Sequence, residues 1–311
     1  EVITSAFTFS SCAHVVVHLG ATPVLADICE DDWNVDPADI ERRITSGTRA
    51  LMPVHYGGQP CRMDDIVALA KARGLFVLDD AAHAIGAAYR GLPVGSLADA
   101  TAFSFYATKN VAMGEGGALT TADAAIDERA RRLALHGMNR DAWQRYETGG
   151  SWYYEVVEAG YKYNLTDIQS ALGLAQLTRL DWMTARRAEL AARYTAAFAS
   201  MDELGLPAVR PEVRHAWHLY AIRIRPEALR IDRNRFIALL AERGIGTSVH
   251  FIPVYRHPFY RDTFGLRPED FPVTERVYQT CISLPLYPGM TDAEADRVIE
   301  AVGDIVRKEQ R

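Results

Sequence analysis

The residues whose spacing suggests chemistry lie in two short stretches. The first is FSFYATKNVAMGEGGALTTAD, residues 103–123, in which Lys109 follows an apolar run and precedes a cluster of glycines. A lysine becomes a useful nucleophile when partial burial or cationic neighbours lower its pKa. Gly114, Gly116 and Gly117 would let the backbone pass close to a flat ligand or adopt positive φ. The second is GLFVLDDAAHAIGA, residues 74–87, an apolar run ending in two carboxylates and then His83. A carboxylate at a strand end, facing a cleft, can hold a protonated pyridine nitrogen. Strand alternation puts Phe76, Leu78 and Asp80 on one face, so Asp79 points the opposite way. On spacing alone, the commoner meanings are a solvated lysine beside a turn, a helix-capping aspartate and a satisfied histidine.

These residues need a scaffold, and the surrounding pattern predicts one. Short apolar runs at 22–26, 50–54, 75–78, 101–105 and 118–121 read as strands, as does Val2–Thr4. Helix-like stretches such as 64–73 and 122–136 lie between them. That alternation indicates a mainly parallel sheet covered on both faces, with ligands at the carboxyl ends of its strands. Both stretches end there. From 164 to about 200 the pattern is helical, with Asn164 or Thr166 as its cap. Beyond it come a strand at 217–224 and helices at 233–243 and 292–307, a smaller α+β unit. The expected division is a large domain over 1–165, a connecting helix over 166–200 and a small domain over 201–311.

Composition sets outer bounds. The 311 residues are 49% hydrophobic and 24% charged, ordinary for a globular chain. Formal charge is 34 − 40 = −6, without long runs of one sign, which argues against a nucleic-acid surface. Four scattered cysteines without a CxxC pair read as reduced thiols in a cytoplasmic protein. No apolar run approaches the roughly 18 residues of a membrane span, and none reads as a signal peptide.

Taken in order, further segments join the first two: EVITSAFTF, GATPVLADI, MPVHYGGQP, DDAAHAIGA, FSFYATKN, LHGM, GYKYNLTDIQSALGLAQL, HAWHLYAIR, GIGTSVHFIPVYRHPFY and LPLYPGMT. Their order and spacing resemble the DegT/DnrJ/StrS sugar aminotransferases, which are fold-type-I enzymes dependent on pyridoxal 5'-phosphate (PLP). The resemblance implies that Lys109 carries the cofactor as a Schiff base and later shuttles a proton. It implies that Asp80 pairs with the pyridinium nitrogen and that His83 lies beside the ring's phenolate oxygen. Ser104 would donate to the phosphate and Phe9 would cover the ring face. Asn164 would reach the phosphate of a neighbouring subunit, which makes the expected assembly a homodimer with shared sites, its aromatic stretches Trp152–Tyr154 and Tyr161–Tyr163 at the interface. The implied substrates are a keto sugar nucleotide and an amino-acid donor, glutamate, with no metal.

His250 is a candidate substrate residue, and Lys162 and Arg140 are candidates for the sugar nucleotide's diphosphate. His215 and His218 read as support for the strand beside Trp217, and His14 and His18 as ordinary helix packing. The sequence opens at Glu1 without the N-terminal segment that family members carry, whose amides bind the phosphate. It therefore reads as a fragment, and weaker cofactor binding is the expectation. A PLP-dependent sugar dehydratase is disfavoured because such members replace the lysine with histidine. A non-catalytic regulatory homologue would not need Lys109, Asp80 and Ser104 intact. No GxGxxG supports a dinucleotide-binding oxidoreductase.

Overall fold

The computed structural model describes residues 1–138 and 153–311. The chain order is β1 (Val2–Ser5), α1 (Ser11–His18), β2 (Pro23–Ala26), α2 (Pro37–Arg43), β3 (Ala50–Met52), α3 (Met63–Arg73), β4 (Phe76–Asp80), β5 (Ala88–Tyr89), β6 (Leu92–Pro93), β7 (Ala100–Ser104), β8 (Gly117–Thr120) and α4 (Ala124–Ala134). It continues with α5 (Asp167–Leu177), α6 (Leu180–Phe198), β9 (Leu204–Gly205), β10 (Val213–Arg214), β11 (Tyr220–Ile224), α7 (Arg233–Glu242), α8 (Pro258–Phe264), α9 (Pro272–Thr280), β12 (Cys281–Leu284) and α10 (Asp292–Glu309).

Six strands form the main sheet in the order β2-β1-β3-β4-β7-β8, parallel except for the antiparallel edge pair of β7 and β8. The chain steps from β1 outward to β2, then returns over β1 to β3. Right-handed crossovers in opposite directions place α1 on one face and α2 with α3 on the other. Side-chain alternation follows this division. Ile3, Leu51 and Val77 pack with Ile40, Met63 and Ile66 from α2 and α3. Met52, Val54 and Leu78 pack with Cys12 and Val16 from α1.

Helix ends obey local chemistry. Two acidic residues open α3, Lys71 and Arg73 close it, and Gly74 caps it at φ 64°. Thr166, not Asn164, caps α5, in a reciprocal box with Gln169. The predicted single helix over 164–200 is two helices. At the break, the Thr178 hydroxyl donates to the Ala175 carbonyl (2.8 Å), a bond that competes with helix geometry and bends it.

A second, antiparallel sheet, β12-β11-β9, is covered by α6, α7 and α10 around Tyr194, Phe198, Tyr220, Phe236 and Val302. The predicted strand at 217–224 begins only at Tyr220. Residues 216–219 instead bond to the turn at Tyr56–Gly58, through Ala216 N to Gly58 O (2.9 Å) and Leu219 N to Gly57 O (3.1 Å). Among the described residues no helix is long and apolar enough to cross a membrane.

Candidate active site

The carboxyl ends of β1, β3, β4 and β7 open onto one cleft of about 580 Å³. It lies at the point where the strand order reverses, the usual ligand position in such sheets. The chain leaving β1 supplies Thr8, Phe9 and Ser11; that leaving β3 supplies Val54. From β4 come Asp80, Ala82 and His83, and from β7 come Ser104, Tyr106, Thr108 and Lys109. His218, His250 and Phe251 close the opposite wall.

Alternation along β4 separates the two aspartates. Asp80 shares the α1 face with Leu78 and lines the cleft. Its Oδ1 accepts from Ala82 N (2.9 Å) and its Oδ2 from the Cys12 thiol (2.9 Å). Asp79 is fully buried on the other face, 3.4 Å from His55 Nε2. His55 Nδ1 accepts from Cys61 N, so the ring's N–H is on Nε2, toward Asp79.

Lys109 follows a turn closed by its own N–H to Tyr106 O (2.8 Å). Burial holds its ammonium below the ordinary lysine value, against Asp80, whose charge pulls it up. The three histidines respond in the same sense. Burial pushes His83 well down, helped by His218, Lys109 and His250; burial and Lys109 push His218 well down and lower His250. In all three the shift favours the neutral ring.

Their orientations are fixed locally. Asn110 Nδ2 donates to Ala216 O (3.0 Å), so its Oδ1 accepts from His218 Nδ1 (3.0 Å). His250 Nδ1 meets Ser283 Oγ at 2.9 Å, and Tyr56 donates to the His250 carbonyl (2.6 Å). His83 lies 4.2 Å from His218 and stacks at 5.6 Å on Phe251, while Phe251 lies 6.0 Å from Phe9.

Lys109, Asp80, His83, Ser104, Phe9 and His250 thus line one cleft. Lys162 and Asn164 do not enter this cleft. They are exposed on the segment before α5, with Lys162 Nζ donating to Asn164 Oδ1 (2.5 Å). Arg140 and Trp152 lie outside the described residues. His218 corrects the sequence reading: its ring forms cleft wall rather than strand support, because the 216–219 segment docks on the Tyr56–Gly58 turn. Sequence reasoning also missed Thr8, Ser11, Thr108 and Phe251. The hydroxyls flanking Phe9 were the available signal for the first two. The glycine cluster serves the chain itself: Gly114 takes φ +85°, and a Cβ on Gly117 would lie 2.7 Å from the Phe103 carbonyl.

The family profile for the DegT/DnrJ/EryC1/StrS aminotransferases matches residues 1–303. The spore coat polysaccharide biosynthesis protein SpsC of Bacillus subtilis is 54% identical over 308 residues, 99% of this chain and 79% of that protein. Two solved structures are also similar. The putative sugar aminotransferase Spr1654 of Streptococcus pneumoniae, in its PMP form, superposes with a TM-score of 0.92 at 33% identity, covering 99% of this chain and 82% of that one. Helicobacter pylori PseC, an aminotransferase of pseudoaminic acid biosynthesis, gives 0.91 at 29% identity, covering 99% and 80%. Fold and site together define a PLP-dependent aminotransferase of fold type I. The chain belongs to the DegT/DnrJ/EryC1/StrS aminotransferase family.

The cleft residues fit the cofactor. Asp80 offers a carboxylate at a strand end, and Phe9, Val54 and Ala82 offer apolar surface to a flat ring. His83 Nδ1 is buried without a hydrogen-bond partner among the described residues, an atom that a ligand oxygen would satisfy. Ser104 and Thr108 present hydroxyls of the kind a phosphate accepts from.

Proposed function

We propose that this chain transfers an amino group from glutamate to the keto carbon of a nucleotide-linked sugar. The observation that carries the reading is the juxtaposition of Lys109, its basicity lowered by burial, with the Asp80 carboxylate in one open cleft. Bound PLP supplies an electron sink for the carbon that loses its proton. In this reading Asp80 holds the proton on the pyridine nitrogen and His83 lies beside the phenolate oxygen. Phe9 covers the ring and Ser104 donates to the phosphate. Lys109 anchors the cofactor at rest; once displaced, its Nζ carries the proton to and from the amine carbon. His250, a neutral ring held by Ser283, suits a sugar hydroxyl.

The names of the relatives support a sugar substrate: one belongs to spore coat polysaccharide biosynthesis, another to pseudoaminic acid biosynthesis. Lys162 and Asn164 gain roles in a homodimer whose pre-α5 segment enters the partner's cleft, Asn164 at the phosphate and Lys162 toward the diphosphate. Support comes from α5, where Ile168 is 84% exposed and only Gly173 is buried. An apolar helix left so bare is unusual on a monomer.

The test is to incubate the protein with PLP, glutamate and a panel of keto sugar nucleotides. Mass spectrometry should show an amino sugar nucleotide and 2-oxoglutarate forming together. Transfer confined to keto acids, with every sugar untouched, would refute the substrate class.

A further inference from the structure

Cys12 lies in the first turn of α1, buried beneath the cleft, and has no part in the function proposed above. Its Sγ lies 2.9 Å from Asp80 Oδ2 and 3.3 Å from Thr8 Oγ1. Both neighbours are short side chains, Asp80 at the end of β4 and Thr8 buried in the bend between β1 and α1. Directions follow from proton counting. The thiol donates its one proton to the carboxylate oxygen. The Thr8 hydroxyl must then donate to sulfur. Burial, with Asp80 adding to it, pushes the Cys12 thiol well up, so it stays protonated and a donor. The other carboxylate oxygen is held by Ala82 N, so each oxygen has a protein donor.

We propose that Cys12 is a positioning residue for Asp80: the chain from the Thr8 hydroxyl through the Cys12 thiol fixes the carboxylate's rotation, leaving its free lone pairs aimed into the cleft. The proposal rests on the reading of Asp80 as the partner of the cofactor's ring nitrogen. Without the thiol, Oδ2 keeps no protein donor among the described hydrogen bonds, and the carboxylate can turn about its side-chain bonds. Hydrogen bonds to charged groups are among the stronger ones, so the loss should be measurable.

Two readouts separate the contact from its purpose. In cofactor-free protein, the infrared S–H stretch that disappears in Cys12→Ala belongs to Cys12. In an Asp80→Ala background that band should move to higher frequency, as a released thiol does. A band that does not move would overturn the contact. In parallel, PLP binding is followed by absorbance. Cys12→Ala should weaken it about tenfold, and Cys12→Ser, which keeps a donor of similar size, should recover most of that loss. Equal binding by Cys12→Ala and the unaltered protein, or a Cys12→Ser variant as weak as Cys12→Ala, would overturn the positioning role and leave packing alone. Asp80→Ala binding PLP as tightly as the unaltered protein would instead sink the reading of Asp80, and the clamp's purpose with it.

Discussion

At Lys109, two neighbouring influences oppose each other. Burial favours the neutral amine, while Asp80 favours the ammonium, and burial prevails. A lowered lysine pKa means that the nucleophilic form appears at lower pH than for an exposed lysine. Labelling of Lys109 by an amine reagent in cofactor-free protein should therefore begin below the pH at which surface lysines react. Asp80→Asn removes the opposing charge, so the onset should move to still lower pH, as peptide mapping across a pH series would reveal; a shift upward contradicts the assignment. Lys109→Ala should also abolish the borohydride-trapped cofactor adduct. The two aspartates give a matched pair. Asp80→Asn should lower turnover by about a hundredfold or more with an unchanged unfolding midpoint. Asp79→Asn, whose side chain meets His55 away from the cleft, should keep most of the turnover. The separation was legible in the sequence because a strand alternates strictly. Cys12 was not legible as a partner of Asp80, since 68 residues separate them and no local period links them.

At the scale of elements, the parallel strands of the sheet were readable because strands covered on both faces are continuous apolar runs. The helix over 164–200 was read as one because Thr178 looks like any tolerated helix residue until its hydroxyl is seen on the Ala175 carbonyl. The start of β11 was misplaced for a different reason. The segment at 216–219 is as apolar as a strand but spends its backbone bonds on a glycine turn. Gly58 there has φ +102°, and a Cβ on it would lie 3.0 Å from the His83 carbonyl and 3.1 Å from both Ala216 Cβ and His218 N. The segments that carry His83 and His218 therefore converge on one missing side chain. Gly58→Ala should cost about 1–3 kcal/mol in denaturant unfolding and should also weaken PLP binding, because His83 and His218 must part to make room. Normal stability and normal binding together would show that the turn has slack.

On the scale of the whole molecule, the proposed homodimer makes a test by mixing. Lys109→Ala and Asn164→Ala chains are each expected to have little activity. A mixed dimer that shares residues places both lesions in one site and leaves the other intact, so up to about half of the mixed dimers' sites should work, by symmetry of a two-fold assembly. Mixed dimers as inactive as their parents would rule the sharing out. Within one chain, distant parts are bound just as closely. Both oxygens of Asp27, at the end of β2, take the opening of α9: Oδ2 accepts from Val273 N (2.9 Å), and Oδ1 accepts from Thr274 N (2.8 Å) and the Thr274 hydroxyl (2.6 Å). This cap has a consequence for synthesis. Chains emerge from the ribosome N-terminus first at roughly 5–20 residues per second, so Asp27 must wait on the order of ten to fifty seconds for its helix. His218 and His250 arrive on the same late schedule. The nascent main sheet is thus left with an unfinished cleft until those residues have been made.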